Sequence, residues 1–347
     1  MGYAKLIFAS SLGWCLLSVA GEWIEAAPGH PNHNPIVDWT PGGKPLESSW
    51  FSIIRDEITS PLETRASQVR IWQTDRNKGF FSDFTLALTF IQQWERENTT
   101  ATMIDWRGLG LYKDDSGSNV WEWFFEQPFA AARQNITGAK MIPIATNNPG
   151  SFPQGEGYYN KMDITKRTVD EGRRLTQTYV QLKPEFQQRV LEAKRNLLET
   201  KYKRPLAVHV RLTDKVSEAP DNFGMSYQEL HTLITSHMAR EGYDGFLFCT
   251  DAKDLKEFIA GQCGDKCVTY DSSLSDDGPA HKDGGIPNRK KAEDIVTEVL
   301  LMASCEGFVS TYSNVANGVL FFGSDELARN HQYLLRLKHK LLPHHRQ

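Results

Sequence analysis

One stretch constrains this chain more than any other: Leu206 to Pro220, LAVHVRLTDKVSEAP. Leu206, Val208 and Val210 alternate along it, so a strand through them carries His209 and Arg211 on its other face. The run then breaks into Thr213, Asp214, Lys215 and Glu218, which gathers charges of both signs where a buried strand should end. Ligands of open α/β sheets sit at the carboxyl ends of the strands. This stretch is therefore read as a binding edge.

The surrounding sequence supplies the rest of such a sheet. Further strands are expected at 245–250, 267–270 and 307–310, with helices at 226–240, 252–260 and 292–303 and another starting at 314–322. Short strands separated by helices argue for a parallel, doubly wound sheet. Upstream, a strand at Val69–Gln73 leads through a Gly-bearing turn into a helix whose Phe80, Phe84, Leu88 and Ile91 share one face, and Ala101–Asp105 gives the next strand. Trp106-Arg107-Gly108 follows as a second candidate edge, with a structural ion pair of Asp105 and Arg107 as the alternative. The aromatic segment 120–129 reads as a helix packed on the sheet, 134–161 as a long connection, and 163–200 as helical with Pro184 in a first turn.

At 347 residues the chain exceeds what one hydrophobic core normally supports, so two domains are expected, with a boundary near residue 202. The net charge of -4 argues against a nucleic-acid partner bound through many phosphates. The N-terminus has a positive start, a short apolar run and the small residues Ser18-Val19-Ala20, which reads as a secretory signal peptide over 1–20, with a signal anchor as the alternative. No later stretch is apolar enough to span a membrane, so no stable span is expected once the signal is removed. Residues 21–66 follow as an irregular Pro- and Gly-rich leader. Sequons at Asn98 and Asn135 fit a lumenal or secreted glycoprotein. Cys263 and Cys267 are spaced to close a small loop, while Cys249 lies in an apolar strand and suits a buried thiol. No metal-site spacing accompanies them.

The expected strand ends present His209, Arg211, Asp214, Lys215 and Glu218, then Thr250 and Asp251, then Asp271, Ser272 and Ser273, then Ser310, Thr311 and Ser313. In a parallel sheet these face one crevice. Arginine offers a planar fork to phosphate, a helix start after Ser313 offers amides to an anion, and an aspartate can accept from a guanine edge. That inventory suits a nucleoside diphosphate, with no Walker A or G-x-G-x-x-G motif beside it. Asp251 alternatively caps the following helix. Arg289-Lys290-Lys291 reads as a solvated face or, after Gly284-Gly285, as part of a lid.

HVRLTDKV at 209–216 resembles the H-V-R-x-T-D-K-V signature of the α1,6-fucosyltransferases of the N-glycan core, and GFFSD, IDWRGLGLY, FLFCTDAKDLKEF, YDSS and STYS resemble the related rhizobial nodulation enzymes in the same order. The resemblance spans roughly residues 70–322 and departs at Leu212, where the family has a second Arg, and at Glu218, which stands one residue closer to the Val.

The resemblance implies an α/β protein of GT-B type, two Rossmann-like domains facing across a cleft. Residues 67–201 would form the acceptor side and 202–347 the GDP-sugar-binding side. It implies an inverting fucosyltransferase using GDP-fucose as donor substrate, with no cofactor and no metal, acting on a GlcNAc-containing oligosaccharide or glycoprotein acceptor in the secretory pathway (Golgi or ER lumen, or secreted). The expected catalytic residues are Arg211, Lys215, Glu218 and Asp214, with Glu218 the first candidate base. His209, Arg211, Asp271, Ser272, Thr311, Ser313 and Gly79 are the expected GDP-fucose contacts. A protein O-fucosyltransferase and a catalytically silent glycan-binding relative are the alternatives.

Overall fold

The computed structural model describes residues 17–19, 22–24, 68–73, 78–97, 101–128, 140–144, 164–212, 225–274 and 284–341. The chain divides into two compact units, residues 1–59 and 60–347. In the first, β1 (Leu17–Val19) pairs antiparallel with β2 (Glu22–Ile24). The rest of the expected signal and leader, both sequons, and Asp214, Lys215 and Glu218 of the expected site lie outside the described residues.

The second unit contains two parallel sheets. In the smaller, β3 (Gln68–Gln73) lies between β4 (Ala101–Asp105) and β5 (Lys140–Ile144), and α1 (Phe80–Glu97) carries the chain from β3 to β4. The larger has the order β10-β9-β6-β7-β8, made of β6 (Pro205–Val210), β7 (Gly245–Thr250), β8 (Cys267–Val268), β9 (Gly307–Ser310) and β10 (His331–Tyr333), all parallel. The expected α/β class is therefore found.

Both faces of β6 are buried, so its alternation sorts side chains between two apolar clusters and not between core and solvent. Leu206, Val208 and Val210 join Leu230, Leu233 and Ile234 of α4 (Tyr227–Glu241) in one cluster, while Ala207 joins Leu247, Cys249 and Phe308 in the other. Helix α4 opens with a capping box between Ser226 and Glu229 and stops at Gly242, whose φ of 76° is left-handed and favours glycine. From β7 the chain passes through α5 (Lys253–Cys263) to β8, then through α6 (Asn288–Ala303) back across β6 to β9. The direction of winding thus reverses between β6 and β9.

After β9 comes α7 (Asn314–Phe322), which packs on both α1 and α2 (Lys166–Tyr179). Two glycines let it approach: a Cβ on Gly318 would lie 2.4 Å from the Phe81 ring of α1, and one on Gly172 of α2 would lie 2.3 Å from Phe321. Around this junction one apolar cluster runs from Phe80, Trp106, Trp121 and Phe125 through Phe186 of α3 (Pro184–Lys194) to Val296 and Val319.

The structure corrects four expectations. Residues 140–144 form a strand within the segment expected to be only a connection; among the described residues β5 bonds to β3 alone, and its Pro143 is tolerated because proline is accepted on an edge strand. The aromatic segment after Asn119 is one 3-10 turn, Val120–Trp123, capped by the Asn119 side chain, after which Phe125 bridges to Leu182. The expected strand at 267–270 ends at Val268, and its last two residues belong to the loop. Beyond Phe322 the chain adds α8 (Asp325–Arg329), β10 and α9 (Leu334–Leu341), where no elements were expected.

Candidate functional site

The reversal between β6 and β9 makes a switch point at their carboxyl ends, where the crevice of doubly wound sheets binds ligands. The register sets His209 beside Ser310. Past the paired residues the two chains stay laced together: Thr311 N–H donates to the His209 carbonyl at 3.0 Å, and Arg211 N–H donates to Thr311 Oγ1 at 3.0 Å. Ser313 then caps α7, its Oγ accepting from Ala316 N–H at 3.1 Å and lying 3.4 Å from His209 Nδ1. Four of the expected residues, His209, Arg211, Thr311 and Ser313, are therefore gathered in one place. The first turn of α7 adds backbone N–H groups and the positive end of its dipole.

His209 is buried, and burial, reinforced by the Arg211 charge, lowers its pKa to about 3. Its ring is neutral at any physiological pH. Arg211 is largely enclosed and its Nε stands 3.7 Å from Asp251 Oδ2. The other Asp251 oxygen accepts from Leu212 N–H at 2.8 Å, so Asp251 ties the β6 end to the β7 end. It does not cap α5, whose N-cap is Ala252 with no side-chain bond. Leu212 is buried in the apolar cluster of Val208 and Val210.

The loop after β8 leaves the carboxyl end of the same parallel sheet, two strands from β6. Asp271 is exposed there, while the Ser272 hydroxyl donates to Glu298 Oε1 at 2.6 Å and Ser273 N–H donates to Asp294 Oδ2 at 2.8 Å. Lys256 of α5 donates to the Tyr270 carbonyl at 2.7 Å. Glu298, Asp294 and Lys256 were not expected from the sequence. The available signal was the i, i+4 spacing of Asp294 and Glu298 inside the apolar run DIVTEVLLMA, which puts two carboxylates on one buried helix face.

Gly79, from the smaller sheet's side, precedes α1, and its carbonyl accepts from Ser82 N–H at 2.9 Å. A Cβ there would meet nothing within 4 Å, so packing inside the protein does not require glycine. The next residue, Phe80, donates its N–H to the buried Tyr112 hydroxyl at 3.3 Å. Burial raises the Tyr112 pKa and the Arg211 charge opposes it, so the start of α1 lies within electrostatic reach of the crevice.

The other charged motifs have local partners. Asp105 is buried and takes Arg107 in a two-pronged ion pair, Nε at 2.9 Å and Nη2 at 2.6 Å. Arg289 lies over the Trp123 ring at 5.5 Å and pairs with Glu293, Lys290 pairs with Asp294, and Lys291 donates to Asn288 at 3.0 Å. Cys249 is a buried free thiol, and Cys263 and Cys267 are free and half-buried. No helix among the described residues is long and apolar enough to cross a membrane.

Fold and crevice together define a parallel α/β protein with an anion-suited site at a topological switch point. No family model and no curated protein matches the chain. Among solved structures it is similar to NodZ alpha-1,6-fucosyltransferase soaked with GDP-fucose, at 15% identity over 74% of this chain and 92% of that one, with a TM-score of 0.45. It is also similar to NodZ from Bradyrhizobium, at 15% identity over 73% and 91% with a TM-score of 0.43. A third similar structure is POFUT1 in complex with GDP-fucose, at 12% identity over 77% and 73% with a TM-score of 0.36.

Proposed function

We propose that this chain is an inverting, metal-independent fucosyltransferase that moves fucose from GDP-fucose to a GlcNAc-containing oligosaccharide, in α1,6 linkage to an N-glycan core or a chito-oligosaccharide. The observation that carries this reading is the crevice between β6 and β9, where Arg211, Thr311, Ser313 and the start of α7 converge beside His209. These groups suit a diphosphate. The HVRLTDKV motif that contributes two of them points to GDP-fucose within that class.

In this reading residues 67–201 form the acceptor side and 202–347 the donor side of a GT-B arrangement. Arg211 and Ser313 hold the diphosphate, and His209 and Asp271 hold the guanosine. As the bond from fucose C1 to the β-phosphate breaks, negative charge grows on the leaving GDP. Fixed donors from Arg211, Lys215, Ser313 and the α7 amides stabilise it as an oxyanion hole does. The acceptor hydroxyl attacks C1 from the opposite face and gives its proton to Glu218, with Asp214 the second candidate base. Gly79 leaves room for the sugar nucleotide beside α1. The signal sequence and sequons support action in the secretory pathway.

A second reading is a catalytically silent glycan-binding relative, favoured by Leu212: where the resembling enzymes carry a second Arg, this side chain is buried among apolar residues and offers nothing to phosphate. A protein O-fucosyltransferase differs in the acceptor alone. The deciding experiment is a GDP-fucose transfer assay on chito-oligosaccharides, N-glycans and folded protein domains, with and without EDTA. The expected result is transfer to a GlcNAc-containing glycan that persists in EDTA. Loss of activity in EDTA refutes the metal-free mechanism, transfer to protein alone refutes the acceptor, and GDP binding without any transfer establishes the silent reading.

A further inference from the structure

The turn after β8 is fastened from two helices at once. Lys256 of α5 holds the Tyr270 carbonyl at 2.7 Å, Glu298 of α6 takes the Ser272 hydroxyl at 2.6 Å, and Asp294, one helical turn earlier, takes the Ser273 N–H at 2.8 Å. Asp294 and Glu298 are both buried, at 4% and 8% exposure, whereas Asp271 between the fastened residues is exposed. Burying two carboxylates one turn apart costs free energy unless each is well paired. A surface turn with no task would not need such an arrangement. Its effect is to hold Asp271 at the carboxyl end of β8, and Glu298 is within electrostatic reach of Asp251, the partner of Arg211.

We propose that Glu298 and Asp294 are positioning residues for base recognition: acting through Ser272 and Ser273, they fix the Asp271 carboxylate where it accepts from the ring N–H and the exocyclic amino group of guanine. This rests on the donor reading above and deepens it, since it assigns the choice of guanine over other bases to a pair of buried acids that never touch the nucleotide. Ser272 serves the site with its hydroxyl turned to Glu298. The charged and titratable neighbours agree with a finely balanced anchor. Burial raises the Glu298 pKa to about 7, the Ser272 hydroxyl and Lys256 oppose this, and Asp294 and Asp251 add to it.

The test is calorimetry on the full chain with GDP, inosine diphosphate, which lacks the exocyclic amino group, and ADP. Wild type should prefer GDP. Glu298→Ala and Ser272→Ala should each weaken GDP about 10-fold, the worth of one well-made hydrogen bond. The preference over inosine diphosphate should fall with it, and the double variant should be no worse than either single one. Glu298→Gln keeps an acceptor oxygen for Ser272 and should restore most of the affinity. In turnover, KM for the donor should rise while kcat holds. Ser272→Ala removes only a half-buried loop hydroxyl, so it remains informative if the α6 variants fail to fold. GDP weakened with an unchanged base preference, or additive effects of the two substitutions, would overturn the proposal and leave the donor reading standing. Failure of wild type to bind GDP at all would overturn both.

Discussion

His209 enters the crevice as a neutral ring, and that has consequences on the acid side of pH 6.5. Its pKa of about 3 lies below the ordinary histidine value near 6.5, so the unfolded chain binds a proton that the folded chain refuses. Stability is then fully present above the unfolded value and is lost as pH falls toward the folded one, by up to about 1.4 kcal/mol per pH unit. His331 adds in the same direction, since burial lowers it to about 3 as well. Thermal unfolding from pH 8 to 4 should show this acid limb, and His209→Gln should flatten it; an unchanged limb would mean His209 is protonated in the fold. Arg211 poses a different question, that of geometry. Lysine keeps the charge but loses the planar fork, so Arg211→Lys should weaken GDP about 10-fold or more while leaving the unfolding midpoint near wild type. Equal affinity in a GDP titration would show that Arg211 acts as a point charge only. Both residues were legible in the sequence because β6 alternates so cleanly. Glu298 was not, because two acids one turn apart in an apolar helix read as a register slip until their partners on the preceding loop are known.

Among the elements, α7 does most to hold the site together. Its N-terminus is capped by Ser313 in the crevice, and its body is pressed between α1 and α2. The close fit at Gly172 makes a sharp test. Alanine there improves helix propensity by up to about 1 kcal/mol, but its Cβ would meet the Phe321 ring at 2.3 Å, and that ring is 1% exposed with little room to move. Overpacking of this kind costs typically 1–3 kcal/mol, so the net effect of Gly172→Ala should be a lower urea midpoint. Phe321→Leu in the same chain should recover part of the loss. A midpoint at or above wild type would show that α2 and α7 part without strain. The sequence announced α7 through its apolar pattern but not its neighbours, because helix contacts across a hundred or more residues leave no local period. In the same way the Asn, Pro and Gly content of 134–161 hid β5, an edge strand that tolerates its proline.

At the scale of the whole molecule, the order of elements was readable while the continuity of the core was not. Chain length and the repeated βα pattern argue for two domains, and Phe80, Trp121 and Phe125 beside the smaller sheet share one apolar cluster with Val296, Val319 and Phe321 beside the larger. Hydrogen bonds cross the same boundary: Arg173 to the Gly323 carbonyl at 2.9 Å on one side, and Asn288 to the Lys113 carbonyl at 2.7 Å where α6 meets the loop after β4. A shared core couples the two sheets energetically, so residues 60–347 should unfold in one transition although chains of this length often show several. A ligand held at the β6–β9 crevice then stabilises the whole. At 100 times its dissociation constant GDP contributes about 2.7 kcal/mol, which for a cooperative unit of this size is a rise of roughly 4–5 °C. Scanning calorimetry with and without GDP reads this directly. One peak moving as a unit is the expected outcome; two peaks, of which GDP moves only the second, would mean that the cluster joins the sheets in space without joining them in free energy.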